Sequence, residues 1–269
     1  MKKPACYMSS THMTCGNDWV KCVERAKEMG FDGVELFSSE NGVNLVDMPT
    51  ERLLTVAKRA KEMGITLSLH PWTDWAWLDV DDMILKYRQL FETAAKMGVR
   101  EVNMHMEFLT NREKGLDRLF AATDACIELL HRYDIMLYYE NVPDHAVRLI
   151  GSELKDFDKL FEYYKDEKSI MLNIDSGHAH ITKTTEELVK KYGARWKYTH
   201  INDNGGYEDD HVAPSDGTLD FEAFAMLAAG AGYTGPLMME YHENGLEKGM
   251  KTLKAAYGKA GYELTDIKP

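Results

Sequence analysis

The chain has 269 residues, of which 44% are hydrophobic, and a formal net charge of −12 at pH 7. This length suits one large domain, and the strongly negative charge disfavours a broad nucleic-acid-binding surface. No apolar run approaches the roughly 20 residues that span a bilayer, and no signal-peptide core follows the first lysines. The four cysteines include no CxxC pair, which is typical of reduced thiols, so we expect a cytoplasmic protein without membrane association.

Predicted strands and helices alternate along the whole chain. Most helical segments end at a glycine, as in RAKEMG at 25–30 and again at 59–64, and a short apolar run follows. An open doubly wound sheet would normally have a glycine-rich phosphate loop after its first strand, which YMSSTHMTCGND is not. The alternation therefore predicts an α/β fold, a single (β/α)8 TIM barrel over residues 1–269. We expect its strands at about 5–9, 33–37, 66–70, 101–106, 135–141, 170–175, 196–203 and 236–242.

Seven of these predicted strands carry a carboxylate or an imidazole at or near their end. One such residue alone could be a hydrogen-bonded core side chain, but seven on separate barrel strands would meet at one mouth. There they would repel one another unless a cation or a substrate organised them. The sequence therefore predicts a functional site at the carboxyl ends of the strands. The seven residues are Glu35, His70, His105, Glu140, Asp175, His200 and Glu240.

The last four of these residues form the best candidate for a metal site. Glu140, Asp175, His200 and Glu240 offer three carboxylates and one imidazole, a set that suits Mn²⁺, Mg²⁺, Co²⁺ or Zn²⁺. Because no thiolate belongs to the set, a structural zinc finger is not indicated. We expect one divalent metal at this site.

Several motifs resemble those of the sugar isomerase/epimerase superfamily, which has a xylose isomerase-like TIM barrel and includes AP endonuclease family 2. The resemblance runs from Gly30 to about Gly249 and rests on GFDGVELF, ENVP, NIDSGHAH, THINDN, and DHVAPSDGTLDF followed by MMEYH. It implies that the four residues named above hold one divalent metal. It also implies that Glu140 and Glu240 form an acid/base pair and that His178 contacts the substrate.

Together these features predict a metal-dependent isomerase or epimerase that acts on a sugar, keto-sugar or polyol. A metal beside a carbonyl stabilises an enediolate, and two carboxylates can then remove a proton and return it at a new position. Dehydration or cleavage of a keto-sugar or inosose is an alternative, because Ala146 and Gly206 replace the Glu and Arg that hold the ketose in ketohexose 3-epimerases. We expect the substrate to be bound by His178, His70, His105, Glu35 and Trp72.

The nucleolytic branch of the superfamily provides another alternative, a tri-zinc phosphodiesterase that acts on abasic DNA in the manner of endonuclease IV. Nine residues hold three zinc ions in that branch, and the resemblance puts competent residue types at all nine positions. The acidic composition argues against DNA, whose phosphates are bound by Lys and Arg. The additional zinc ligands would be His70, His105, His178, Asp209 and His211, with Asp210 as a near-equal substitute for Asp209.

Other side chains are also expected near the mouth of the barrel. Trp72, Trp75 and Trp77 in HPWTDWAWLD suit stacking on a sugar face or a contact between the subunits of a homo-oligomer. His12 and His145 are expected at the same end. A binding protein that had lost its chemistry would be indicated if one of the two candidate bases were missing, and both are present.

Overall fold

The computed structural model describes residues 1–11, 15, 18–72, 75, 77–106, 111–143 and 149–268. Eight parallel strands close into a barrel, and helices lie between them along the chain, which confirms the predicted (β/α)8 fold. Each strand pairs with its sequence neighbour in the barrel, and the last strand pairs with the first. The barrel strands are β1 (Cys6–Ser9), β2 (Gly33–Phe37), β5 (Thr66–His70), β6 (Glu101–His105), β7 (Met136–Glu140), β8 (Ile170–Asp175), β9 (Trp196–Ile201) and β10 (Leu237–Met239).

Helices cover the outside of the barrel, and a small antiparallel hairpin of β3 (Ser39–Glu40) and β4 (Val43–Asn44) follows β2. None of the helices within the described residues is long and apolar enough to cross a membrane. The helices are α1 (Trp19–Met29), α2 (Thr50–Met63), α3 (Val80–Met97), α4 (Arg112–Asp124), α5 (Ile127–Tyr133), α6 (Leu154–Tyr163), α7 (Ser176–Thr182), α8 (Thr185–Tyr192), α9 (Phe221–Gly230) and α10 (Leu246–Lys259).

The repeated glycines end the first three helices as the sequence predicts. Gly30, Gly64 and Gly98 have positive φ angles of 91°, 66° and 72°, in the left-handed region that glycine adopts without a Cβ penalty. At each of them the backbone N–H donates to carbonyls of the preceding helical turn. The chain then reverses and enters the next strand within three residues, which gives successive strand–helix units the same geometry.

The last two predicted strands are longer than the observed ones. Strand β9 ends at Ile201 instead of residue 203, and β10 ends at Met239 instead of residue 242. Beyond β9 the backbone of Asp203 is hydrogen-bonded to Val212 in the following loop, so it leaves the barrel ladder. Glu240 therefore lies one residue beyond its strand, although its N–H still donates to Ile201 O at 2.9 Å.

Candidate metal centre and active site

Four neighbouring strands, β7 to β10, bring the residues of the predicted metal site together. One ligand atom each from Glu140, Asp175, His200 and Glu240 lies within 4.8 Å of the others, and all four side chains are buried. His200 Nδ1 is 3.1 Å from Glu140 Oε2, 3.0 Å from Glu240 Oε2 and 4.0 Å from Asp175 Oδ2. The carboxyl ends of the strands thus hold three carboxylates around one ring nitrogen.

The tautomer of His200 makes this group suitable for a divalent cation. On the far side of the ring, Nε2 lies 3.4 Å from Glu35 Oε2, which can accept a hydrogen bond from it. His200 Nδ1 then faces the carboxylates of the site. Burial acts to lower the pKa of this ring, but Glu140, Glu35 and Glu240 outweigh it and raise that pKa well above its ordinary value. Either a proton on Nδ1 or a divalent cation would balance these carboxylates, and with a cation bound Nδ1 would offer it a lone pair, so these residues fit a divalent metal.

Burial and charged neighbours shift the pKa values of the three carboxylates in this group. Burial, opposed by His178 and reinforced by Glu140, raises the pKa of Asp175 to about 7. Burial also acts to raise the pKa of Glu140, but His200 and other imidazoles outweigh it and hold that pKa well below its ordinary value. The pKa of Glu240 is lowered by His200 against the same effect of burial. Both glutamates are therefore available as proton acceptors.

Glu35 lies one layer deeper in the barrel than the sequence suggested. Its carboxylate is fully buried and accepts a hydrogen bond of 2.6 Å from Asn103 Nδ2, in addition to its contact with His200. Ser68 Oγ, 3.4 Å away, completes its surroundings. Glu35 thus lies against the back of His200, where a carboxylate can fix the orientation of an imidazole that binds a metal. Its contact with substrate hydroxyls stays a prediction.

Two other predicted residues, His70 and His105, share Glu140 with the four-residue group. His70 Nδ1 and His105 Nε2 lie 3.8 Å and 3.7 Å from Glu140 Oε2, and the three residues could hold a second cation. Burial lowers the pKa of His70 to about 4, so its ring is neutral, and its buried Nδ1 has no hydrogen-bond partner. Phe37 stacks on this ring with a centroid distance of 4.9 Å.

A third group consists of His178, Asp209 and His211. Nδ1 of His178 lies 2.9 Å from Asn141 O and Nδ1 of His211 lies 2.8 Å from Glu240 O, so both Nδ1 atoms can donate to backbone carbonyls. Each Nε2 then points to Asp209 Oδ2 at 3.1 Å. Two protonated rings or one bound cation would satisfy this arrangement.

The geometry of the third group also distinguishes Asp209 from its neighbour Asp210 in the loop after β9. Asp209 is half-buried between the two imidazoles, whereas Asp210 is exposed. Asp209 is therefore the residue that belongs to the site. Because the loop after β9 supplies it, strand periodicity alone could not have found it.

Aromatic side chains near the mouth differ in their exposure. The Trp72 ring is 43% exposed and lies 6.4 Å from that of His105, so it borders the site. Trp77 is 75% exposed, whereas Trp75 is buried against Tyr87 and belongs to the core. The structure leaves Trp72 and Trp77, but not Trp75, as candidates for a surface contact.

Three residues that the sequence singles out lie outside the described part of the chain: His12, His145 and Ala146.

Two asparagines that the sequence analysis did not single out support the ligands. Asn173 Nδ2 donates to Glu140 Oε2 at 3.2 Å, and Asn202 Nδ2 donates to Asp175 Oδ2 at 2.7 Å. Asn173 is two residues before Asp175 on β8, so both side chains point into the barrel. This alternation was the sequence feature that could have identified Asn173.

A family model of the xylose isomerase-like TIM barrel matches residues 23–256. The chain belongs to this family. Among curated relatives, the uncharacterized protein y4fM of Sinorhizobium fredii is 26% identical over 179 residues, which is 65% of this chain and 55% of that protein. The match thus spans about half the length of that relative.

Solved structures of sugar epimerases have the same fold. The structure of a D-tagatose 3-epimerase-like protein superimposes with a TM-score of 0.79 at 22% identity, covering 97% of this chain and 98% of the other. The 3-keto-D-glucoside 4-epimerase YcjR of E. coli has a TM-score of 0.72 at 17% identity, with 96% and 99% covered. These structures have the architecture of this chain in common, which makes the mouth of the barrel the place to look for its chemistry.

Proposed function

We propose that this protein is a divalent-metal-dependent isomerase or epimerase of a sugar, keto-sugar or polyol. The observation that carries the proposal is the buried group at the ends of β7 to β10, in which three carboxylates surround the unpartnered Nδ1 of His200. Membership of the xylose isomerase-like family and the fold of the sugar epimerases support the same assignment.

Glu140, Asp175, His200 and Glu240 would hold the metal. Once bound there, a divalent ion would stabilise negative charge on a substrate oxygen next to the reacting carbon. Glu140 lies on β7 and Glu240 directly follows β10, and their carboxylates lie 3.1 and 3.0 Å from His200 Nδ1. The lowered pKa values of both glutamates keep them ionised. One carboxylate can remove a proton from the substrate and the other can return one, which changes the configuration or moves the carbonyl.

Residues around this group fit a small carbohydrate. His70, His105 and His178 offer ring nitrogens that can contact hydroxyl groups, while Phe37 and Trp72 offer aromatic surface at the same end of the barrel. A sugar has both hydroxyls and an apolar C–H face, so a mixed lining of this kind suits it.

Exchange of a substrate hydrogen for deuterium from the solvent tests this function. The test applies to epimerisation, isomerisation and dehydration or cleavage alike. The Mn²⁺-loaded protein is incubated in D₂O with separate aldoses, ketoses, 3-keto-glycosides and inososes, with and without a phosphate group. We expect one compound to gain deuterium at the carbon next to its carbonyl, as measured by mass spectrometry and NMR. The final product distinguishes epimerisation, isomerisation and the dehydratase or lyase alternative.

A tri-zinc phosphodiesterase is the second candidate. It is favoured by two of the three additional groups that could hold a cation within the described residues. One contains His70, His105 and Glu140, and the other contains His178, Asp209 and His211. Elemental analysis of tag-free protein and an abasic-site oligonucleotide assay test this candidate. Two or three zinc ions per chain together with DNA cleavage, and no deuterium exchange in any carbohydrate, would replace the isomerase proposal.

A further inference from the structure

A cavity of about 990 Å³ lies at the end of the barrel opposite the metal centre. Its walls come from α2, from the C-terminal end of α3 and from the first residues of β5 and β6. The volume is within the range of sites that hold small organic ligands. Its apolar walls are formed by Leu54, Ala57, Ala60, Ile65, Leu67 and Met97.

The cavity reaches the interior of the barrel because the wall of strands opens there. Strands β2 and β5 are paired along their whole length, whereas β5 and β6 are paired at Leu69 and Val102 alone. Between this point and their first residues, the backbones of β5 and β6 are therefore not paired. Tyr7 and Tyr138, whose rings lie inside the barrel, line the cavity together with helix residues from outside it.

The inner end of the cavity is polar. Glu101 lies there with its carboxylate 3.1 Å from the hydroxyl of Tyr7, which donates to it. Gly33 makes room for the Tyr7 ring, because a Cβ at this position would come within 2.5 Å of Tyr7 Cδ1. Burial raises the pKa of Glu101 to about 7, so its carboxyl group can both donate and accept hydrogen bonds near neutral pH.

The outer edge of the cavity is basic although the chain as a whole is acidic. Lys58, Lys61, Lys96 and Arg100 all line it. Lys58 is 3.8 Å from the carboxylate of Glu62, and Arg100 is paired with Asp134 at 2.8 Å. Lys61 and Lys96 have no ion-pair partner within the described part of the chain. Two ammonium groups beside an apolar wall are suited to an organic anion.

We propose that this cavity binds a small amphipathic organic anion. The apolar or aromatic body of the ligand lies between α2 and α3, its acidic group faces Lys61 and Lys96, and a polar substituent reaches Tyr7 and Glu101. The site is separate from the metal centre, because it is built at the amino ends of β5 and β6, whereas that centre lies at the carboxyl ends of β7 to β10.

The aromatic anion 8-anilinonaphthalene-1-sulfonate is a direct probe, because its fluorescence rises in apolar surroundings. The full-length, metal-loaded protein is titrated with it. We expect saturable binding that Ala57→Trp abolishes by filling the cavity. The double variant Lys61→Glu/Lys96→Glu should weaken binding about tenfold, since each charge contributes a modest attraction. Chelation of the metal should leave the affinity unchanged.

Two control variants match these changes at other helices. Ala223→Trp adds the same ring at an exposed position of α9, and Lys190→Glu/Lys251→Glu reverses two exposed charges on α8 and α10. Both controls should bind the probe like the wild type. Absence of saturable binding, or equal affinity in the wild type and in the lysine double variant, would overturn the proposal. If Ala57→Trp fails to fold by circular dichroism, the surface lysine variant decides alone.

Discussion

The same strands make both ends of the barrel interior, but the two ends differ in the hydrogen bonding of their buried polar side chains. At the carboxyl ends, His70 Nδ1, His200 Nδ1 and Asp209 Oδ1 are buried without a hydrogen-bond partner. At the amino ends, the hydroxyl of Tyr7 is bonded to Glu101. Unsatisfied buried groups are costly in a folded protein, so the difference indicates which end is built around a ligand with positive charge.

The largest effect is expected from Glu240→Gln, which keeps the shape of a candidate base but removes its charge. Deuterium exchange into the substrate should fall by about 10²- to 10⁴-fold, the usual contribution of a positioned base. The fold should remain intact, as measured by circular dichroism. The matched control is Glu208→Gln, an exposed position in the loop after β9. A fully active Glu240→Gln variant would remove this residue from the catalytic assignment.

Removal of the metal by a chelator should lower the free energy of unfolding. Without a cation, Glu140, Asp175 and Glu240 are left close together in a buried site. A metal present at a thousand times its Kd stabilises the folded state by about 4 kcal/mol, and chelation removes this contribution. Urea unfolding with and without chelator measures it. Identical curves would show that the group does not bind a metal.

Glu35→Gln should weaken metal binding by about 10- to 100-fold, since a carboxylate behind a metal-binding imidazole has an effect of this size. Competition with a fluorescent chelator measures the Kd. Glu101→Gln is the matched control, because it makes the same change inside the barrel at the other end. Equal metal affinity in the wild type and in Glu35→Gln would mean that His200 keeps its orientation without this carboxylate.

Strand register explains why Glu35 lies deeper in the barrel than the strand end at which the sequence placed it. Alternation along a strand says which side chains point into the barrel, but not how far along the barrel axis they lie. Phe37 is level with His70, so Glu35 is level with Ser68, two residues deeper. By contrast, His105 is level with Glu140, which is why those two share a layer.

Residues supplied by loops were predictable through family resemblance only. Asp209 and His211 follow β9 in a loop whose path depends on tertiary contacts, including the backbone pairing of Asp203 with Val212. No periodicity applies to such a segment. The fold itself followed from local features, because helix-ending glycines and short apolar runs repeat along the whole chain.

The smallest effect is expected from the acid at the amino end, and it concerns the pH dependence of stability. The pKa of Glu101 rises from 4.5 to about 7 on folding, chiefly through burial. A raised pKa in the folded state means that its contribution to stability is complete below pH 4.5 and is lost as the pH rises through 7. Relative to Glu101→Gln, the wild type should therefore lose about 1 to 2 kcal/mol of unfolding free energy between pH 5 and pH 8. This is less than the full linkage value, because the residue keeps some access to solvent.

Urea unfolding of both proteins at the two pH values measures this difference, and the metal affinity of Glu101→Gln serves as an internal check. A constant difference between the two proteins would mean that Glu101 is ionised in the folded state, as a solvated carboxylate would be. The inner end of the cavity would then be anionic and repel the organic anion that Lys61 and Lys96 attract. A difference that grows with pH, with metal binding unchanged, would instead show that Glu101 is protonated in the folded state near neutral pH and that its ionisation does not affect the metal site at the other end of the barrel.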